Sequence, residues 1–357
     1  MLFLSTLLLV CVSVVMVYSA STPVALQRQQ SPFWYLMKQG MWVALGVVVL
    51  GVAMRFDYER FRKPAVIWTM LGIAGAGLVV VLFGPEVKGA RRWLGLGGLG
   101  VQPSEFAKLA IIVFTAAILE RRMARINEVS YSLTPIALVL VAAVALILRE
   151  PDFGSAMAIV ATVVVMVFAA GLAWRYLVGA ALGLLPLAAA LLLAAPYRRE
   201  RLLAFLDPWK DPQGTGFQVI QSQIAVGTGG AFGRGLGGSV QKLYYLPEPH
   251  NDFIYAVIAE ELGLIGTTVI LVCFVILVWR GLRIAVRTQD PFASLLATGI
   301  SAMIGVQALV NISVVLGLMP TKGIPLPLVS AGGSSLLISM LAIGILLNMS
   351  QRAVPDA

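Results

Sequence analysis

The sequence predicts an all-α, polytopic integral membrane protein with about ten transmembrane helices. Both termini are expected in the cytoplasm, with one long extracytoplasmic loop, about 196–250, between helices 7 and 8. Three observations carry this. Of 357 residues, 59% are hydrophobic and only 12% charged, with a mean hydropathy of +0.91, more apolar surface than a water-soluble domain needs. The apolar residues fall into ten runs. The basic residues between those runs favour one side of the membrane.

The runs lie near 2–20, 33–54, 65–83, 104–120, 132–148, 154–171, 174–195, 252–279, 292–318 and 328–349, a single transmembrane domain over 1–357. The first could be taken for a signal peptide, because Tyr18-Ser19-Ala20 resembles a cleavage site. No basic residue precedes Arg28, so the charged leading region of such a peptide is missing. With the N-terminus inside, the inner loops and tail hold 12 basic residues: Arg55, Arg60, Arg62, Lys63, Arg121, Arg122, Arg125, Arg175, Arg280, Arg283, Arg287 and Arg352. The short outer loops hold 6: Arg28, Lys88, Arg91, Arg92, Arg149 and Lys322. Positive charge stays on the cytoplasmic side, so the bias sets the orientation; the long loop's length largely exempts it from the rule.

The net charge of +9 is what loop arginines of a membrane protein give on meeting anionic lipid, so nucleic acid is not a partner. Two cysteines, both in apolar runs, and one histidine leave no disulfide framework and no zinc site.

Charged residues in or beside the apolar runs mark candidate sites, because lipid penalises them. Glu105 and Lys108 stand three apart at the start of the fourth run, on one helix face, and read as a structural ion pair. Arg149-Glu150-Pro151-Asp152 fills a very short outer turn. Asp152 is either solvated there or joins Asp252 at one outer-face cavity.

The long loop holds Tyr197-Arg198-Arg199-Glu200-Arg201, then Asp207 to Pro212, then Phe217 to Ser222, then the glycine-rich run 227–238. No strand precedes that run and no lysine closes it, so it is not a nucleotide loop. Its backbone N–H groups with Arg234 could cradle a pyrophosphate, or it could be a flexible loop.

The most informative stretch, 241–263, carries the lone His250 with Glu248, Asp252, Glu260 and Glu261 at the mouth of the eighth run. Pro247 and Pro249 are expected to keep the approach extended, pointing Glu248 and His250 the same way. Asp252 is expected to begin the helix. Asn251 or Asp252 is then an N-cap, or Asp252 is a general base at the membrane surface kept ionised by the helix dipole, or both. At about 100° per residue Glu260 and Glu261 point away from Asp252, so an Arg or Lys from another helix is their plainer partner.

Together these stretches resemble the SEDS family of shape, elongation, division and sporulation proteins, which includes RodA and FtsW. The resemblance rests on Asn311, Gly317, Pro320, Gly323, Leu328 and Ser330 to Ser335. It also rests on the 207–230 and 241–263 blocks, Lys88 to Trp93, Gln102 to Glu105 and Glu150 to Gly154. It covers essentially all ten runs and leans to the RodA branch, in elongation and cell shape.

The resemblance implies an inverting peptidoglycan glycosyltransferase that polymerises lipid II on the outer face of the bacterial cytoplasmic membrane. The family's catalytic aspartate falls on Asp252. Substrate-binding residues would be Arg91, Asp152, Arg198, Arg201, Gln221, Ser222, Arg234, Lys242, His250 and Ser330. The leaving undecaprenyl pyrophosphate needs positive charge, from arginines or from a divalent cation such as Mg or Mn; no organic cofactor is called for. A class B penicillin-binding protein and other elongation-machinery proteins are the implied partners. Two rivals stand beside this reading: a lipid II flippase, whose site should lie at midplane, and a non-enzymatic scaffold, which has no need of Asp252.

Overall fold

The computed structural model describes the backbone of residues 1–86, 90–95, 100–194, 196–243 and 245–352, with side chains at all of these except 184, 185, 187, 188 and 191–198. Each apolar run carries a helix. In order come α1 (Leu2–Gln27), α2 (Trp34–Arg55), α3 (Pro64–Val81) and α4 (Pro103–Arg122). A single turn, α5 (Val129–Ser132), precedes α6 (Thr134–Arg149), α7 (Phe153–Ala169) and α8 (Trp174–Ala194). Then come α9 (Pro196–Leu206), α10 (Phe217–Gly229), α11 (Ile254–Arg287), α12 (Pro291–Val315) and α13 (Gly333–Ser350). By length and composition α1, α2, α3, α11, α12 and α13 are each able to cross a membrane; α6 and α7 are shorter apolar helices. The protein is a multi-pass membrane protein.

Local chemistry sets the helix starts. Pro64, Pro103 and Pro291 occupy first helical positions, where the missing N–H costs nothing. Asp290 caps α12 by accepting from Phe292 N at 3.2 Å, and Asp152 caps α7 by accepting from Ser155 N at 3.0 Å. The centre is α4, buried along most of its length between α3, α6, α7, α12 and α13. A helix buried on all sides has to neutralise its polar groups internally. Glu105 and Lys108 do so at 2.7 Å, both almost fully buried.

The 196–250 segment differs from the expected polar loop. It holds α9 and α10, and α10, in which Val219, Ile220 and Ala225 are buried, packs on α11. The glycine-rich run is an ordered segment packed on α11, and Gly237 N donates to the Glu261 carboxylate at 3.0 Å. It fills a break in α11 at Gly263, where φ is +66°. Arg234 N and Gly235 N donate to the carbonyls of Glu260 and Glu261 at 2.9 and 3.0 Å. Leu264 N and Ile265 N donate to the carbonyls of Gly230 and Ala231 at 2.9 and 3.2 Å. The groups orphaned by the break are thus satisfied by loop backbone, as a buried break requires. Glycine is needed for the close approach: a Cβ on Gly229 would overlap Ala259 O, and one on Gly263 would overlap Gly233 N.

The two ends of the bundle differ. At one, Arg62 pairs with Glu120 and, at 3.9 Å, with Asp290, while Arg352 meets Asp57 at 2.9 Å and Glu59 at 3.2 Å. The other end gathers Gln102, Asp152, Asp252 and the 316–332 connection.

Candidate active site

The site is built on the chain entering α11. The approach is not extended: Glu248 has φ +55°, and Asn251 N closes a turn onto Glu248 O at 3.0 Å. The turn still brings Glu248 and His250 together, with Nε2 3.8 Å from Oε2. His250 is buried, its ring 4.9 Å from Tyr35, whose hydroxyl accepts from Arg28 at 3.1 Å.

Asp252 does not begin the helix. The first helical residue is Ile254, the cap is Phe253, and no side chain caps it. The N-cap reading of Asn251 or Asp252 therefore falls. The Asn251 amide instead donates to Glu248 at 2.8 Å.

Three consecutive carbonyls fix this strand. Ala331 N donates to His250 O at 2.9 Å, Ser330 Oγ to Asn251 O at 2.7 Å, and Asn311 Nδ2 to Asp252 O at 2.8 Å. Asn311 Nδ2 also donates to Ile324 O at 2.8 Å, tying the 320–326 loop to the same point. The Asp252 carboxylate, half-buried, lies against Gly323: a Cβ there would stand 3.0 Å from Oδ2. A side chain at 323 would crowd the carboxylate, so glycine sets its access.

Asp152 lies across the same loop. Gly154, two residues on, is so close to Ile324 that a Cβ would overlap its side chain. Asp152 is buried and not solvated: Oδ1 caps α7 and Oδ2 accepts from Gln102 Nε2 at 2.9 Å. Glu150 beside it is fully buried, and among the described residues neither carboxylate oxygen has a hydrogen-bond partner. Burial first, and then the charge of Asp152, push its pKa up to about 8 against the pull of Arg92. Arg92 straps the turn by donating to Glu150 O at 2.9 Å and to Pro151 O.

Several expected substrate-binding residues have structural partners instead. Arg234 pairs with Glu260 at 3.2 Å, and Lys242 with Glu261 at 2.6 Å. A carboxylate that is charged at 0% exposure has to be paired, and Arg234 and Lys242 supply that pairing. Glu260 also accepts from Ser239 Oγ, Val240 N and Gln241 N; Glu261 also accepts from Ser19 Oγ on α1 and from Gly237 N. The expected cationic partners therefore exist, but they come from the loop and not from another helix. Ser222 is buried and donates to Val315 O at 2.8 Å, tying α10 to α12. Ser330 spends its hydroxyl on the Asn251 carbonyl and on Leu326 N. Arg91 is exposed and donates to Leu82 O at 3.2 Å; Arg201 is exposed on α9; Gln221 is partly buried on α10. The side chain of Arg198 and all of Lys88 lie outside the described residues.

Among the described residues no three His, Cys, Asp or Glu side chains converge as a metal site. Asp152 is engaged by Gln102 and Ser155. The sequence reading missed Asn311 and Gly323 as positioning residues and counted Lys322 for topology alone. A lysine within the otherwise uncharged 312–329 stretch is the signal that could have found it.

Fold and site together define a multi-pass helical membrane protein with an aspartate held at the mouth of a broken helix. A family model described as "Cell cycle protein" matches residues 1–354, and the chain belongs to that FtsW/RodA/SpoVE family. It is 45% identical over 346 residues to "Probable peptidoglycan glycosyltransferase FtsW" of Geobacter metallireducens, covering 96% of this chain and 92% of the relative. To stage V sporulation protein E of Bacillus subtilis it is 42% identical, covering 98% and 96%. A chain solved within a peptidoglycan synthase complex that coordinates polymerization and crosslinking superposes with a TM-score of 0.81 at 34% identity, covering 99% and 98%. RodA of Thermus thermophilus gives 0.71 at 28%, covering 99% and 97%. The more similar relatives carry the FtsW and sporulation names, so the leaning to RodA draws only on solved structures at lower identity.

Proposed function

We propose that this protein is a peptidoglycan glycosyltransferase that polymerises lipid II at the outer face of a bacterial cytoplasmic membrane, with Asp252 as general base. The observation that carries the reading is the carboxylate itself. It is half-buried, Asn311 holds its own carbonyl, Ser330 and Ala331 hold the two carbonyls before it, and Gly323 leaves it approachable. In this mechanism Asp252 takes the proton from the acceptor sugar's 4-hydroxyl, the oxygen attacks the donor's anomeric carbon, and the lipid diphosphate leaves from the opposite face. Configuration inverts, so one base on the attacking side suffices. The FtsW and sporulation names of the relatives favour wall synthesis in division or sporulation over elongation. The synthase complex containing a structural neighbour supports a crosslinking partner, a class B penicillin-binding protein.

The test is glycan formed from lipid II by purified wild type and Asp252→Asn, with and without a candidate partner. The amide keeps the shape but cannot accept the proton, so a loss of roughly 10²–10⁴ is expected. A folded Asp252→Asn protein that polymerises at the wild-type rate refutes the assignment.

A further inference from the structure

The leaving diphosphate needs a cation. Of the expected ones, Arg234 is held by Glu260, Lys242 by Glu261, and Arg91 donates to the Leu82 carbonyl; Arg92 is held by two backbone carbonyls. Lys322 is different. It sits in the 320–326 loop, next to the glycine that abuts the Asp252 carboxylate. Its ammonium lies 3.1 Å from Met157 Sδ and 4.6 Å from the Phe153 ring centroid, at the first turns of α7. Among the described residues it has no carboxylate partner. A half-buried ammonium facing a thioether and a ring, beside a helix N-terminus, is undercompensated.

We propose that Lys322 is the cation that receives the diphosphate leaving group, opposite Asp252; this rests on the glycosyltransferase reading. Geometry supports the division of labour. In an in-line displacement the acceptor oxygen and the anomeric carbon separate base from leaving group. The leaving group's cation therefore stands away from the base and not in contact with it. Lys322 and Asp252 meet this condition: the loop is common to both, with Gly323 on Asp252 and the lysine side chain running to α7. Burial also lowers the Lys322 pKa, to about 8, which still leaves most of it charged at neutral pH. Charge that develops on the departing diphosphate meets a cation already in place, which is where preorganised electrostatics accelerate a reaction.

The experiment uses purified full-length protein and lipid II. Lys322→Met and Lys322→Gln remove the charge, Met preserving the apolar stem; Lys322→Arg keeps the charge. Melting curves identify which neutral variant is folded, and undecaprenyl pyrophosphate is titrated as a product inhibitor against wild type and each variant. A folded neutral variant should lose about 100-fold in kcat, and undecaprenyl pyrophosphate should inhibit it about tenfold more weakly, while Lys322→Arg retains most activity. A neutral variant with wild-type turnover, equal losses in the Arg and neutral variants, or unchanged inhibition by undecaprenyl pyrophosphate overturns the assignment. A wild type that forms no polymer overturns instead the glycosyltransferase reading.

Discussion

Removing one member of the Glu105–Lys108 pair should damage the protein more than removing both. The groups sit one turn apart on α4, 2.7 Å from each other, with side chains 4% and 3% exposed. Lys108 otherwise faces apolar residues, Ile112, Ile159 and Met303 among them. Neither charge can turn to water. Glu105→Gln or Lys108→Met therefore leaves an uncompensated buried charge, a cost of about 3–5 kcal/mol, whereas replacing both partners can be nearly neutral. At roughly 2–4 °C per kcal/mol for chains of 150–250 residues, and less in a longer one, each single variant should melt several degrees low. The double variant should recover much of that loss. Thermal melts of all four proteins in one detergent complete the cycle. A double variant whose loss equals the sum of the two single losses would show the pair uncoupled and the argument wrong.

Two further outcomes follow from the site's surroundings. Glu150→Gln should stabilise the fold as pH rises. The unfolded carboxyl ionises from its usual value of 4.5, while the buried one stays neutral up to about 8. Wild-type stability therefore falls across that window by about 1.4 kcal/mol per pH unit and levels off above it. The advantage of Gln in melting should be greater at pH 8 than at pH 5; an equal or smaller advantage at pH 8 would mean that Glu150 ionises normally. A cysteine at Gly214, between α9 and α10, should react with an impermeant thiol reagent in intact cells, since the basic clusters around Arg62 and Arg352 mark the opposite end as cytoplasmic. Labelling only after permeabilisation would invert the orientation.

Hydropathy acts locally, which is why every apolar run carries a helix and why the stretch around Asp252 stood out before any fold was known. Ends were less legible. α11 starts at Ile254 and runs to Arg287 because Gly263 breaks it without ending it, and α13 waits until Gly333 because Leu328 has φ +64° and the chain must first pass Asp252. The α10 helix was hidden because its 13 residues gain their stability by packing on α11, a contact no local pattern announces. The fates of Arg234 and Lys242 were illegible for the same reason. They lie 26 and 19 residues before the glutamates they serve, and only the fold of the glycine run over the Gly263 break brings them together.

The backbone bonds to His250, Asn251 and Asp252 make length, more than composition, the intolerant property of this strand. The contacts to His250 and Asn251 come from residues 330 and 331, and the contact to Asp252 from α12. Since all three accept through carbonyl oxygens, many side chains could be exchanged there without disturbing the bonds. Adding or deleting one residue would move each acceptor out of step with its donor and carry the carboxylate away from Gly323. A one-residue insertion or deletion between Glu248 and the first turn of α11 should therefore cost more than a substitution that leaves those carbonyl bonds in place.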